Sequence, residues 1–158
     1  MRWTASLRIA STITMVLLAA QAAWGQAVPV QLVETAPGQW QLLRGGEPYY
    51  ILGAGGGGPK DLLAAAGANT FRTWGVGADL GQQLDEAQRL GLTVVIGHWL
   101  GHERHGFDYG NAEATAEQLA RVRRDVLAWK DHPALLLWAV GNEMEGFAEG
   151  DNPAIWKH

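Results

Sequence analysis

The sequence predicts an α/β fold built on a parallel sheet, and three observations predict it. Short apolar runs recur at 49–52, 69–74, 93–97 and 135–141. Between them lie longer segments, 59–66, 79–90 and about 111–129, in which apolar residues return at helical spacing. Strand and helix alternate in series, the order that lays strands side by side and parallel.

The first residues stand apart from that pattern. Arg2 and Arg8 flank an apolar stretch, 9–24, that ends in small residues, the make-up of a secretory signal peptide over 1–27. Cleavage fits after Gly25, with Ala23 at the −3 position, or after Ala27, with Gly25 at −3. Thr4, Ser6, Ser11, Thr12 and Thr14 dilute the stretch, and it is short for a bilayer span. The expected location is therefore secreted or periplasmic, with no membrane attachment once the signal is removed. The chain has no cysteine, so disulfides cannot support the exported protein and packing must. With 47% hydrophobic residues it can form a core. Its net charge of −4 comes from interspersed charges without a basic run, which argues against a nucleic-acid partner.

Residues 28–48 read as a short β-hairpin segment, with turns at Ala36-Pro37-Gly38 and at Gly45-Gly46-Glu47-Pro48. From 49 onward the strand–helix units begin. Asp79 can cap the second helix with Gln82 three residues on, Gly91 stops it, and Leu80, Leu84, Ala87 and Leu90 form its apolar stripe. Leu119, Val122, Val126 and Trp129 do the same for the third, and both stripes read as core packing against the sheet. Asn152 and Pro153 are an N-cap and first helical position, so a helix has just begun where the 158 residues end. The expectation is the front part of a longer chain, with a fold of about 250 residues cut near its midpoint.

Three stretches carry candidate chemistry. In "YYILGAGGGGPKDLL", Gly53, Gly55 and Gly58 fit the dinucleotide fingerprint between a strand and a helix. However, Pro59 and the run of glycines make the fit compositional, and no acidic residue follows about 20 positions later to hold a ribose. In "GHWLGHERHGFDYG", His98, His102 and His105 surround Glu103. The spacing is not that of a zinc helix, and Arg104 would put a positive charge among the ligands, so a wall for a polar ligand with flat apolar faces is preferred to a metal site. The third is "LLLWAVGNE", where a buried strand ends in Asn142 and Glu143. A carboxyl group at such a mouth, partly buried, is suited to donate a proton, and the amide beside it can hold a substrate hydroxyl. The plainer reading of Glu143 is a carboxylate that caps the next loop or pairs with an arginine.

"HPALLLWAVGNE" closely resembles the fourth-strand motif of the clan of retaining β-glycosidases built on (β/α)8 barrels, especially family 2 and its relatives in families 5 and 72. "AAAGANTFRTWG" resembles the clan's second-strand segment, "LDEAQRLGLTVVIGHW" its passage into the third strand, and "VLAWKDHP" the lead-in to the fourth. The likeness runs through nearly all of 48–146, in order. It implies the amino-terminal half, about four βα units over 49–158, of a TIM (β/α)8 barrel preceded by the hairpin.

It further implies Glu143 as general acid/base, Asn142 as the residue binding the hydroxyl next to the anomeric carbon, and Arg72 as steadying the nucleophile. His98 and Trp99 would line the sugar site. Trp74, Trp99 and Tyr109 near strand ends suit the flat faces of pyranose rings. The clan uses no metal and no organic cofactor. Its nucleophile is a second glutamate after the seventh strand, expected here beyond residue 158, and double displacement needs two carboxyl groups about 5–5.5 Å apart. The expected activity is retaining hydrolysis of β-linked glycosides or polysaccharides, with the 158 residues alone inactive. The rivals are a transglycosylase on the same fold and a non-catalytic carbohydrate-binding protein. Stoichiometric zinc would point instead to a hydrolase using the three histidines.

Overall fold

The computed structural model describes residues 26–144 and 152–157, so all of the expected signal segment except its last two residues lies outside the described part. The first described element is a three-stranded antiparallel sheet, β1 (Val30–Ala36), β2 (Gln39–Arg44) and β3 (Glu47–Pro48), in that order. Arg44 lies opposite Glu47 across a two-residue turn. Gly45 and Gly46 both have positive φ, 62° and 87°, the geometry that matches strand twist and that a side chain resists. The expected hairpin thus gains a third strand.

The parallel sheet contains β4 (Gly53–Gly55), β5 (Thr70–Arg72), β6 (Thr93–His98) and β7 (Leu135–Val140), adjacent in chain order. The helices are α1 (Lys60–Ala65), α2 (Leu80–Arg89), α3 (Ala112–Trp129) and α4 (Pro153–Lys157). Tyr49 ties the two sheets together. Its amide donates to the Leu42 carbonyl at 2.8 Å, while its hydroxyl lies 3.0 Å from the Asn69 carbonyl, 3.2 Å from Thr70 Oγ1 and 3.0 Å from Thr93 Oγ1. Arg44 adds a bond from Nη2 to the Pro133 carbonyl at 2.9 Å.

The core lies on the helix-facing side of the parallel sheet. Phe71 of β5 and Val94 and Ile96 of β6 alternate onto that face and meet Leu80, Leu84 and Ala87 of α2, with Leu92 and Ala134 completing the cluster. Each large side chain buried there contributes about 1.5–3 kcal/mol. The α2 stripe is therefore core, as the spacing predicts. In α3 the pattern shifts by one residue: Leu119 is exposed and Gln118 is buried, because Gln118 Oε1 accepts the Gly101 amide at 2.6 Å.

The molecule is a small α/β domain with one antiparallel sheet and one open four-stranded parallel sheet, which corrects the expectation of half a (β/α)8 barrel preceded by a hairpin. Residues 49–52 were expected to be the first barrel strand, but the strand is Gly53–Gly55. Asn69 captures the backbone of 49–52, donating from Nδ2 to the Tyr50 carbonyl at 2.8 Å and accepting the Leu52 amide at 2.9 Å. Tyr50 is left 84% exposed. A barrel interior is filled by layers of bulky branched side chains from alternate strands. Gly53, Ala54 and Gly55 supply one methyl group between them. They approach β5 so closely that a Cβ on Gly53 would lie 1.8 Å from the Thr70 carbonyl oxygen.

The capping signals fare unevenly. Asn111 Oδ1 accepts the amides of Glu113 and Ala114, both at 3.1 Å, and Asn152 Oδ1 accepts the amide of Ala154 at 2.9 Å. Asp79 makes no such cap; its carboxylate accepts from Gln83 Nε2 at 2.8 Å. Among the described residues no helix is long and apolar enough to cross a membrane.

Candidate functional site

The carboxyl end of β7 turns sharply. The Gly141 amide still donates to the His98 carbonyl at 3.0 Å, continuing the ladder, and then Gly141 and Glu143 both take positive φ, 79° and 49°. Glu143 is the one non-glycine residue so placed among the described residues, a backbone state that costs an L-residue about 1–2 kcal/mol. Asn142, held between the two, points its amide back to the sheet. Its Oδ1 accepts from Arg72 Nη2 at 3.2 Å, joining residues 70 positions apart.

The Arg72 guanidinium lies 4.3 Å over the Trp74 ring, in cation–π range. That ring in turn rests on the glycine run, since a Cβ added to Gly55 would meet it at 3.2 Å. The glycines therefore act as a seat for an indole. Lys60 Nζ donates to the carbonyls of Gly56 and Gly58, both at 3.2 Å, and the Gly56 amide donates to the Arg72 carbonyl at 2.9 Å. An open cleft of about 360 Å³ borders Gly56, Gly57, Lys60, Thr73 and Trp74.

Arg72, Asn142 and Trp74 are thus brought together, with Glu143 next in the chain. Glu143 does not have the partly buried setting expected of it. Its side chain is 71% exposed and its Oε2 lies 3.3 Å from Arg104 Nη2. A pair of this kind adds about 0–1 kcal/mol, so it orients the carboxylate more than it stabilises the fold.

His98 is not part of this group. It shares the helix-facing side of β6 with Ile96, is buried, stacks on Trp138 at 5.1 Å between centroids, and has Nδ1 3.7 Å from Asp125 Oδ2 on α3. Burial pushes its pKa below the ordinary value; Asp125 opposes this and Arg121 adds to it. Tyr109 is also buried, its hydroxyl donating to the Gly101 carbonyl at 2.8 Å and its ring edge-on to Phe107, so it presents no flat face to a ligand.

Trp99 does present one: it is half exposed and stacks on His102 at 5.0 Å with the planes 5° apart, and His102 stacks on His105 at 5.4 Å. Among the described residues no group of three or more His, Asp or Glu side chains converges as a metal site would require. Pairing of Glu143 with an arginine, its plainer reading, is what the structure shows, but neither Arg104 nor His102 was expected as a partner of the corner. Their only signal was the crowding of charge in "GHERHG".

No protein-family model and no curated protein matches the chain. The resemblance to the glycosidase clan therefore rests on its four sequence segments. An exposed indole, an amide anchored by a guanidinium, and a carboxylate on a rigid turn can together bind a polyhydroxylated ring: the ring face packs on the indole and its hydroxyls bond the amide.

Proposed function

We propose that the protein acts on β-linked glycosides or polysaccharides, with Glu143 as general acid/base of a retaining double displacement. The observation that carries this reading is the Arg72–Asn142 bond at 3.2 Å, with Trp74 beneath the guanidinium and Glu143 adjoining. Two segments that carry the resemblance are in contact at the sheet's carboxyl end, where open α/β sheets bind ligands. Asn142 holds the hydroxyl beside the anomeric carbon, Trp74 and Trp99 offer apolar faces, and Glu143 protonates the leaving oxygen and later deprotonates water. A sugar hydroxyl in place of that water would make the reaction a transglycosylation. No metal or organic cofactor enters the reading. The nucleophile that the mechanism also needs is assigned to none of these residues.

Binding can be tested separately from turnover. Titrating β-linked oligosaccharides should give saturable binding that Asn142→Ala and Trp74→Ala each weaken about tenfold or more, because losing one buried hydrogen bond or stacking face costs about 1–2 kcal/mol. Binding unaffected by either change would remove this cluster from the sugar site. The exposure of Glu143 favours one second reading, a carbohydrate-binding protein without catalysis. That reading predicts the same binding results and no glycoside turnover.

A further inference from the structure

We infer that His102 is a positioning residue for the Asn142–Glu143 corner: its neutral imidazole, buried between Trp99 and His105, anchors the turn that carries Arg104 to Glu143, and protonating it releases that contact. The consequence for turnover rests on the reading of Glu143 given above, but the contact itself does not.

The first support is burial without well-formed hydrogen bonds. His102 is 4% exposed, and neither ring nitrogen makes a well-formed hydrogen bond among the described residues; the Asn142 backbone is the one hydrogen-bonding group of these that faces the ring. A neutral ring tolerates this as an aromatic plate in a stack. An imidazolium would carry two N–H donors with only the Asn142 backbone to receive one of them, and an unmet buried donor is costly.

The second is the charge around it. Arg104 and His105 face it from its own turn, and Glu143 and the backbone of Asn142 face it from the corner after β7. Burial is the largest influence and lowers the pKa, the two cationic neighbours lower it further, and Glu143 and the Asn142 backbone oppose them. The net effect favours the neutral ring.

The third is connectivity. The His102 carbonyl accepts the amides of His105 at 2.9 Å and Phe107 at 3.1 Å, closing a short 3-10 turn over Glu103–His105 that ends at Gly106 with φ 87°. Arg104 sits inside that turn and reaches Glu143 at 3.3 Å. Glu103 of the same turn accepts from Asn152 Nδ2 at the start of α4. The anchor and the grip therefore belong to one small unit, and disturbing the stack moves the guanidinium.

The test follows the Glu143 carboxyl carbon and the His102 ring by NMR as pH is lowered, in the wild-type protein and in His102→Phe, which keeps a flat ring and cannot titrate. The expected wild-type result is a His102 midpoint below about 6.5. A separate Glu143 inflection should appear at that same pH and vanish in His102→Phe. A His102 midpoint at or above 6.5, or a Glu143 signal indifferent to it, overturns the inference using wild-type protein alone. In a turnover assay the acid limb set by His102, about tenfold per pH unit below the midpoint, should disappear in His102→Phe. Coupled NMR inflections with no glycoside turnover by full-length protein that carries both carboxylates would sink the glycosidase reading and leave this inference standing. Turnover that depends on Glu143 without coupled inflections would do the reverse.

Discussion

Gly97→Ala should loosen the candidate site from beneath. A Cβ at Gly97 would lie 2.3 Å from the Thr73 carbonyl oxygen and 2.8 Å from the Trp74 carbonyl carbon. These are backbone atoms, which cannot rotate away, so β5 and the segment after it must separate from β6. That movement also strains two bonds across the join, from the Gly97 amide to Thr73 Oγ1 at 3.1 Å and from the Thr73 amide to the Val95 carbonyl at 3.0 Å. Overpacking costs about 1–3 kcal/mol and a lost buried hydrogen bond about 0.5–1.5 kcal/mol. Together they put the destabilisation at about 2–4 kcal/mol. In urea, with a slope of about 2 kcal/mol/M, the midpoint should fall by about 1–2 M. Gly57→Ala is the control, since its Cβ would meet nothing within 4 Å, and it should stay within about 0.5 kcal/mol of wild type. Equal midpoints for the Gly97 variant and wild type would show that β5 and β6 are not packed as described.

Two further outcomes concern stability. Burial lowers the pKa of His98, His102 and His132, with Asp85 opposing the effect at His132. Between those lowered values and about 6.5 the native state binds fewer protons than the unfolded chain, so the unfolding free energy rises with pH. Stability should be full above about pH 6.5 and fall as pH drops below it through the lowered values, and urea midpoints that stay flat or rise on acidification would contradict this. Asn111→Ala removes the acceptor for two amides at the start of α3 and should cost about 0.5–2 kcal/mol, measured as the same midpoint shift. Asn111→Asp, which keeps an acceptor, should restore most of it.

Elements with strong local signals were legible in the sequence. The α2 stripe, β6 and the cap Asn152 depend on spacing or on a side chain bonding its own neighbourhood. The architecture was less legible because it turns on distant contacts. The aromatic and aliphatic residues of 49–52 look like a strand, but Asn69, 17 residues beyond Leu52, takes their backbone groups. The glycine run looks like a loop, yet it supplies β4 because only glycine fits beside Thr70 and beneath Trp74. Leu119 belongs to an apolar stripe, but the Gly101 amide draws in Gln118.

At the site, the resemblance named Arg72 and Asn142 separately, one for the nucleophile and one for a substrate hydroxyl, and their contact came only with the structure. That Glu143 pairs with an arginine was legible, but not which one, since Arg104 lies 39 residues away with no periodicity linking them. His98 shows the limit most plainly: its place at a strand end suggested a sugar wall, and the alternation along β6 turns it to α3.

The central claim, that Glu143 donates the proton to a glycosidic oxygen, is tested most directly in the full-length protein, with the nucleophile present, by kcat/KM of Glu143→Gln on two kinds of β-glycoside. Substrates with poor leaving groups need protonation, and on them the variant should lose about 10²- to 10⁴-fold. Activated aryl glycosides need little, and their first step should lose far less. Equal losses on both substrate types would contradict the account and remove Glu143 from the acid role.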